Sequence, residues 1–196
     1  MLSTKRLNRF KEVIANRQAG LILVLEDIHD PHNAAAILRT CDGLGIQEVY
    51  FIFAKEKPYN PKKVGKVTSS SANKWLTYKI FLSTKDCLKE LKKQKCRVYA
   101  TILNKSAQDV TRYTFNDSRM ALVVGNEHRG ISPEMIAGAD KLIYLPMKGF
   151  VESFNVSVSA GLFLYEILRQ RMQADKKEYH LSAKEQAKLL ADFKKR

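Results

Sequence analysis

Three times along this chain a short apolar run gives way to a dense polar cluster. Leu21–Leu25 precedes the segment from Asn33 to Arg39, Met120–Val124 precedes Gly125-Asn-Glu-His-Arg-Gly130, and Lys141–Leu145 opens into Pro-Met-Lys-Gly-Phe-Val-Glu-Ser-Phe-Asn-Val-Ser-Val-Ser159. A five-residue run with no polar position, such as Leu21-Ile-Leu-Val-Leu25 between Gly20 and Glu26-Asp27, is too short for a buried helix. It fits a strand covered on both faces, the signature of a parallel sheet sandwiched by helices. In such a sheet ligands bind outside the carboxyl ends of the strands, where all three clusters would then lie. The pattern predicts an α/β fold around a mainly parallel sheet, with one site built from three separated segments.

The remaining elements follow from periodicity and punctuation. Leu7, Phe10, Val13 and Ile14 recur at helical spacing between Thr4 and Arg17, and Gly20 ends that pattern. Pro31 opens a helix to about Asp42, which Gly43 and Gly45 stop. Val49–Phe53, Trp75–Phe81 and Arg97–Ile102 read as further strands, and Lys141–Leu145 as the last one. Between Ala54 and Asn73 the apolar pattern yields to Lys, Pro, Asn, Gly and Ser, a long basic loop with room for a short helix. Ser83-Thr-Lys-Asp86 has the form of a capping box with Asp for Glu, Ser132-Pro-Glu starts a short helix, and a longer one runs from about Asn155 to Met172. Ser182-Ala-Lys-Glu185 caps a final helix. The expected organisation is a basic helical extension over residues 1–20, a main domain over 21–172 and a helical tail over 173–196.

Charge narrows the partners. Thirty-four Lys and Arg against 20 Asp and Glu give a net charge of +14, spread over both termini and the segments Lys55–Lys74 and Lys89–Arg97. A diffuse positive field of this kind suits a polyphosphate partner, although a basic chain can also be merely soluble. Cys41, Cys87 and Cys96 are odd in number and lack C-x-x-C spacing, which argues against a disulfide framework or a zinc ribbon and fits a reducing, cytoplasmic setting. The N-terminus lacks the apolar core of a signal peptide, and no run approaches the ~18 apolar residues of a membrane span.

The clusters also exclude some chemistries. Gly125 and Gly130 bracket four residues as a phosphate-binding loop does, but Ile131-Ser132 stands where Lys-Ser/Thr is needed. Glycine at this point allows the backbone to come close to a flat ligand, with a plain strand-to-helix turn as the alternative. Asp27, His29, Asp30 and His32 match no metal-site spacing. Ser153 has no G-x-S-x-G elbow around it and reads better as the cap of the following helix, where free N–H groups attract anions.

Asn33 and Arg39 in P-H-N-A-A-A-I-L-R-T, Glu127 in G-N-E-H-R-G, and Ser153 and Asn155 in L-P-M-K-G-F-V-E-S-F-N-V-S-V-S occur in the order and at the separations of the three motifs of the SpoU (TrmH) RNA 2′-O-ribose methyltransferases, a family of the SPOUT superfamily. The chain resembles that family from Leu21 to Arg171. The resemblance implies S-adenosylmethionine as methyl donor with S-adenosylhomocysteine as product, no metal, a homodimer, and a C-terminal segment threaded into a deep trefoil knot. It also implies the roles. Arg39 would act on the ribose hydroxyl from the neighbouring subunit, Asn33 and Glu127 would orient it, Ser153 would hold the phosphate or hydroxyl, and Asn155 would fix the last loop. Thr101, Leu103, Gly125, Glu127, Leu145, Met147, Phe154 and Asn155 would hold the donor. The first motif, E-D-I-H-D-P-H-N-A-A-A-I-L-R-T, is similar to that of the subgroup modifying guanosine 18 in the tRNA D-loop. A ribosomal-RNA or wobble-position methyltransferase and an inactive RNA-binding module of the same fold remain the alternatives. Phe154, where Leu is usual, and the short tail after His180 are departures from the pattern.

Overall fold

The structure, a computed structural model, describes residues 2–64, 72–104 and 107–196. Among these residues a single sheet contains β1 (Gln18–Glu26), β2 (Ile46–Ile52), β3 (Thr77–Phe81), β4 (Arg97–Thr101), β5 (Gln108–Asp109), β6 (Met120–Val124) and β7 (Lys141–Tyr144). Its order is β3-β2-β1-β6-β4-β7-β5, and every adjacent pair is parallel. The helices are α1 (Thr4–Ala15), α2 (Pro31–Gly43), α3 (Thr84–Lys93), α4 (Pro133–Gly138), α5 (Val156–Ala174) and α6 (Ala183–Phe193).

The continuous apolar runs are explained by the central position of β1 and β6. Leu21, Leu23 and Leu25 of β1 and Met120, Leu122 and Val124 of β6 face one core, which they share with Ile37 and Leu38 of α2 and Phe163, Leu164 and Ile167 of α5. Ile22, Val24, Ala121 and Val123 face the opposite core, with Cys87 and Leu91 of α3 and Met135 of α4. Side chains alternate across a strand, so a strand covered on both faces has no position left for a polar residue. A third, smaller cluster joins the two ends of the chain: Phe10 and Ile14 of α1 pack on Leu189 and Phe193 of α6, with Trp75 against both rings at 5.3 and 5.1 Å.

Several local expectations are revised. The N-terminal helix ends at Ala15 rather than near Arg17, and Gly20 lies inside β1 instead of stopping a helix. Gly20 has φ +65 beside a break in strand register, and a Cβ there would sit 2.1 Å from the Ser118 carbonyl oxygen. It marks a bulge where two backbones touch. Trp75 precedes β3 and belongs to the α1–α6 cluster. The two-residue β5 was not anticipated, because a strand that short leaves no alternation to read. Of the basic loop, residues 54–64 carry no helix, a 3-10 turn spans Ala72–Lys74, and residues 65–71 lie outside the described residues. Ser182 and Glu185 form the full reciprocal capping box, whereas the Ser83 hydroxyl donates to Asp86 Oδ2 at 2.8 Å. Asp is one methylene shorter than Glu, which shortens its reach back toward the cap.

Arg171, buried near the end of α5, donates to the carbonyls of Ala19 (2.8 Å) and Asp117 (3.3 Å) and lies 4.5 Å from the Tyr179 ring centroid. Burial lowers its pKa to about 10, so it stays charged at neutral pH and ties the tail to the start of β1. Gly20→Ala should lower unfolding stability by about 2 kcal/mol or more, because it combines a positive φ with a backbone clash. Gly43→Ala, with nothing within 4 Å of the added Cβ, should leave the urea midpoint nearly unchanged.

Candidate active site

The site begins where β1 ends. Glu26 is buried and accepts from the Thr84 hydroxyl (2.7 Å) and from the Ser132 hydroxyl (2.7 Å) and amide (2.8 Å), at the starts of α3 and α4. Asp27, at φ 52, turns the chain away from the sheet, and its Oδ1 accepts from the amides of Lys55 and Glu56 at 3.0 and 3.1 Å. Its carbonyl accepts from Asn126 Nδ2 at 2.7 Å. Asn126 Oδ1 in turn accepts from the amides of His128 and Arg129, both at 2.9 Å, and its backbone exchanges two hydrogen bonds with Gly130. The turn after β6 is thus closed on itself. A Cβ on Gly125 would lie 2.4 Å from the Gly130 backbone, so this glycine is required by the turn's own packing, the plainer of its two sequence readings.

Glu127 is the node of the site. Its carboxylate accepts from the backbone amides of His29 (2.9 Å) and Asp30 (3.1 Å) and from Asn33 Nδ2 (2.8 Å). Partial burial would raise its pKa, but the hydrogen bonds from Asn33, His29 and Asp30 hold it below the ordinary value. Asn33 Oδ1 accepts from Asn155 Nδ2 at 3.1 Å. Asn155 is also the cap of α5, its Oδ1 accepting from the Ser157 amide (2.8 Å) and hydroxyl (2.6 Å). Hence Asn155, not Ser153, caps this helix, because α5 starts at Val156 and the cap is the residue immediately before it. Glu127, Asn33 and Asn155 form one chain of hydrogen bonds across segments that follow β6, β1 and β7.

Two cavities meet at this chain. The first, about 590 Å³, lies beyond the ends of β4, β6 and β7. Thr101 and Leu103 form one side and Gly125 and Glu127 another. Leu145, Met147, Ser153, Phe154 and Asn155 close it from the segment after β7. Strand pairing of β7 ends at Tyr144, so the backbone from Leu145 onward lies outside the ladder. The second cavity, about 510 Å³, shares Glu127, His128 and Asn155 with the first and adds His29, Asp30, Pro31 and Asn33. Arg39 lines neither cavity and lies on an exposed face of α2.

Sequence reasoning missed Asn126, although it stands between two singled-out residues, and it gave no reason to select Glu56. Glu56 pairs with Arg129 at 2.6 Å and with His29 Nδ1 at 3.0 Å. These hydrogen bonds hold its pKa below the ordinary value, and the contact with Glu56 raises that of His29.

Fold and cavities define an α/β protein whose cavities lie at the carboxyl ends of parallel strands. The SpoU rRNA Methylase family model matches residues 20–165, and the chain belongs to that family. It is 37% identical over 169 residues to the tRNA (guanosine(18)-2′-O)-methyltransferase of Thermus thermophilus, covering 86% of this chain and 84% of the relative. The Escherichia coli protein of the same name is 34% identical over 88% of this chain and 73% of its own length. The crystal structure of the Aquifex aeolicus TrmH/SpoU tRNA modifying enzyme superposes with a TM-score of 0.86 at 35% identity, over 96% and 94% of the two chains.

Because the folded pKa of Glu127 is depressed, its contribution to stability is full above the unfolded carboxylate value and is lost as pH falls through the folded one. Glu127→Gln should cost about 1 kcal/mol at neutral pH, since an amide cannot accept all three donors. In denaturant melts the gap to wild type should narrow as pH drops below about 4.3, the ordinary Glu value.

Proposed function

We propose that the protein transfers a methyl group from S-adenosylmethionine to the 2′-hydroxyl of an RNA ribose, that of guanosine 18 in the tRNA D-loop, acting as a homodimer in the cytoplasm. The observation that carries this reading is the convergence of all eight expected donor-binding residues on the first cavity, against the Glu127–Asn33–Asn155 chain. The lining fits the donor chemically. Leu103, Leu145, Met147 and Phe154 offer apolar surface to an adenine ring, and backbone groups beyond the strand ends are available to its polar edge. When bound, the donor supplies an electrophilic methyl group on a sulfonium.

The chain's own residues provide alignment and charge. Glu127, Asn33 and Asn155 fix the wall between the cavities, so that the ribose oxygen and methyl carbon meet in line, and much of the acceleration is assigned to this alignment. Ser153, at the mouth of the first cavity, contacts the acceptor phosphate or hydroxyl. Arg39 donates N–H groups to the oxygen as negative charge develops, because a guanidinium carries five N–H donors and no acceptor. An RNA phosphate takes the hydroxyl proton.

Dimerisation is supported by α5, which is apolar on two sides. Ala160, Phe163, Leu164 and Ile167 are buried, whereas Val158, Leu162, Tyr165 and Met172 remain exposed, with Phe150, Val151 and Phe154 just upstream. Apolar side chains left exposed opposite a helix's buried face call for a second packing partner. Thr40 of α2 lies against Gly161 of α5, with the added Cβ of Gly161 at 3.7 Å from its methyl group. Arg39, the exposed neighbour of Thr40, is assigned to the site of a second copy. The knot belongs to the same reading and is supported by the position of β7 between the earlier strands β4 and β5. Among the described residues no helix is long and apolar enough to cross a membrane.

Incubating the purified protein with tRNA and donor, followed by mass mapping of digested nucleosides, should yield 2′-O-methylguanosine at position 18. Modification confined to ribosomal RNA or to the wobble nucleotide would replace that substrate. Arg39→Ala should slow single-turnover transfer at least ~10²-fold, the scale of losing one oxyanion donor, with S-adenosylhomocysteine affinity little changed. Mixing Arg39→Ala with Asn155→Ala subunits should restore part of the activity that each lacks alone, and absence of complementation would place Arg39 outside the partner's site. Affinity for tRNA should fall steeply between low and moderate salt.

A further inference from the structure

Where the two cavities meet stands a cluster to which no donor-binding role has been assigned: His29 lines the second cavity, Arg129 lines the first, and Glu56 joins them. Glu56, from the loop after β2, holds His29 Nδ1 at 3.0 Å and Arg129 Nη2 at 2.6 Å, and its own amide is fixed by Asp27 at 3.1 Å. The His29 and His128 rings meet edge to face, with centroids 5.9 Å apart. Three segments, following β1, β2 and β6, are tied together here. Isolated exposed ion pairs contribute little to stability, so fold stability alone is a weak reason for such a junction.

Its geometry suits an anion. A carboxylate only accepts, so Nδ1 of His29 carries a proton toward Glu56 and Nε2 is turned the other way. Arg129 remains 46% exposed in its side chain and His29 59%, so both keep solvent-accessible surface where the two cavities adjoin. A ribose set against the Glu127–Asn155 wall would bring its own phosphodiester to this edge. Arginine and protonated imidazole are strong partners for phosphate oxygens.

We propose that Arg129 and His29 form a phosphate clamp for the backbone flanking the methylated ribose, and that Glu56 is the positioning residue that holds both in place. The inference rests on the proposed transfer to RNA and adds to it the residues that grip the acceptor strand. The groups facing His29 are Glu56 and Glu127, which favour its cation, Arg129, which opposes it, and the neighbouring Asp30 and His128.

The test is steady-state tRNA methylation by His29→Ala, Arg129→Ala, Glu56→Ala and Glu56→Gln, with S-adenosylhomocysteine binding measured by calorimetry. His29→Ala and Arg129→Ala should each raise KM for tRNA about tenfold, the scale of one charge-assisted hydrogen bond, with kcat and S-adenosylhomocysteine affinity within about threefold of wild type. Glu56→Ala should raise KM similarly, and Glu56→Gln, which retains a hydrogen-bond acceptor, should recover most of it. In wild type KM should climb as pH rises through the His29 titration, and in His29→Ala that step should vanish. Unchanged KM in both alanine variants would overturn the clamp, as would a parallel loss of S-adenosylhomocysteine affinity, which would assign the edge to the donor. Wild-type protein that transfers no methyl group would instead overturn the parent reading. Fluorescence anisotropy with labelled tRNA would then still decide the clamp, since equal tRNA Kd for wild type and both variants would contradict it.

Discussion

A single carboxylate organises the carboxyl end of the sheet. Glu127 accepts from two backbone amides of the segment after β1 and from the side chain of Asn33 at the start of α2. Those amides belong to a turn and a helix start, where N–H groups have no partner of their own along the chain. The acceptor comes from the loop after β6, and Asn33 passes the connection to Asn155 at the start of α5. The walls of both cavities follow from this connection. Without it, three segments distant in sequence would each need another acceptor for a partly buried polar group, at a cost of roughly 1–3 kcal/mol per group.

Most of the sheet was legible in the sequence because its inner strands are covered on both faces. Leu21–Leu25 and Met120–Val124 could not tolerate a polar residue on either side, and that absence is itself the signal. The helix starts were legible because Ser83, Ser132 and Ser182 cap as their spacing implies. What depends on distant partners was not. Gly20 looked like a helix stop because its real constraint is Ser118, nearly a hundred positions away. Trp75 looked like part of a strand because its partners, Phe10 and Phe193, come from the two ends of the chain. Glu56 is an acidic residue in a basic loop, and nothing local ties it to His29 or Arg129.

The site was legible to different degrees for the same reason. Residues within the three polar clusters were singled out by type and spacing, and the fold gathers Asn33, Glu127, Ser153 and Asn155 around the two cavities. The cap of α5 was expected at Ser153 and lies at Asn155, since a shift of two residues is invisible to periodicity. Arg39 has a different character. It is exposed on α2 and lines neither cavity, which is why its part in the reaction, and the second copy that part would need, belong to the proposal. Family resemblance supplied that expectation. The two-sided apolarity of α5 gives it a physical basis.

The connection at Glu127 can be tested at its own atoms. Native-state hydrogen exchange should show the His29 and Asp30 amides protected in the wild-type protein. In Glu127→Gln they should exchange at least about tenfold faster, the factor expected for losing ~1.4 kcal/mol of local stability, while amides of Leu23 and Val123 keep their rates. Rapid exchange of His29 and Asp30 in wild type, or acceleration spread equally through β1 and β6, would contradict the account.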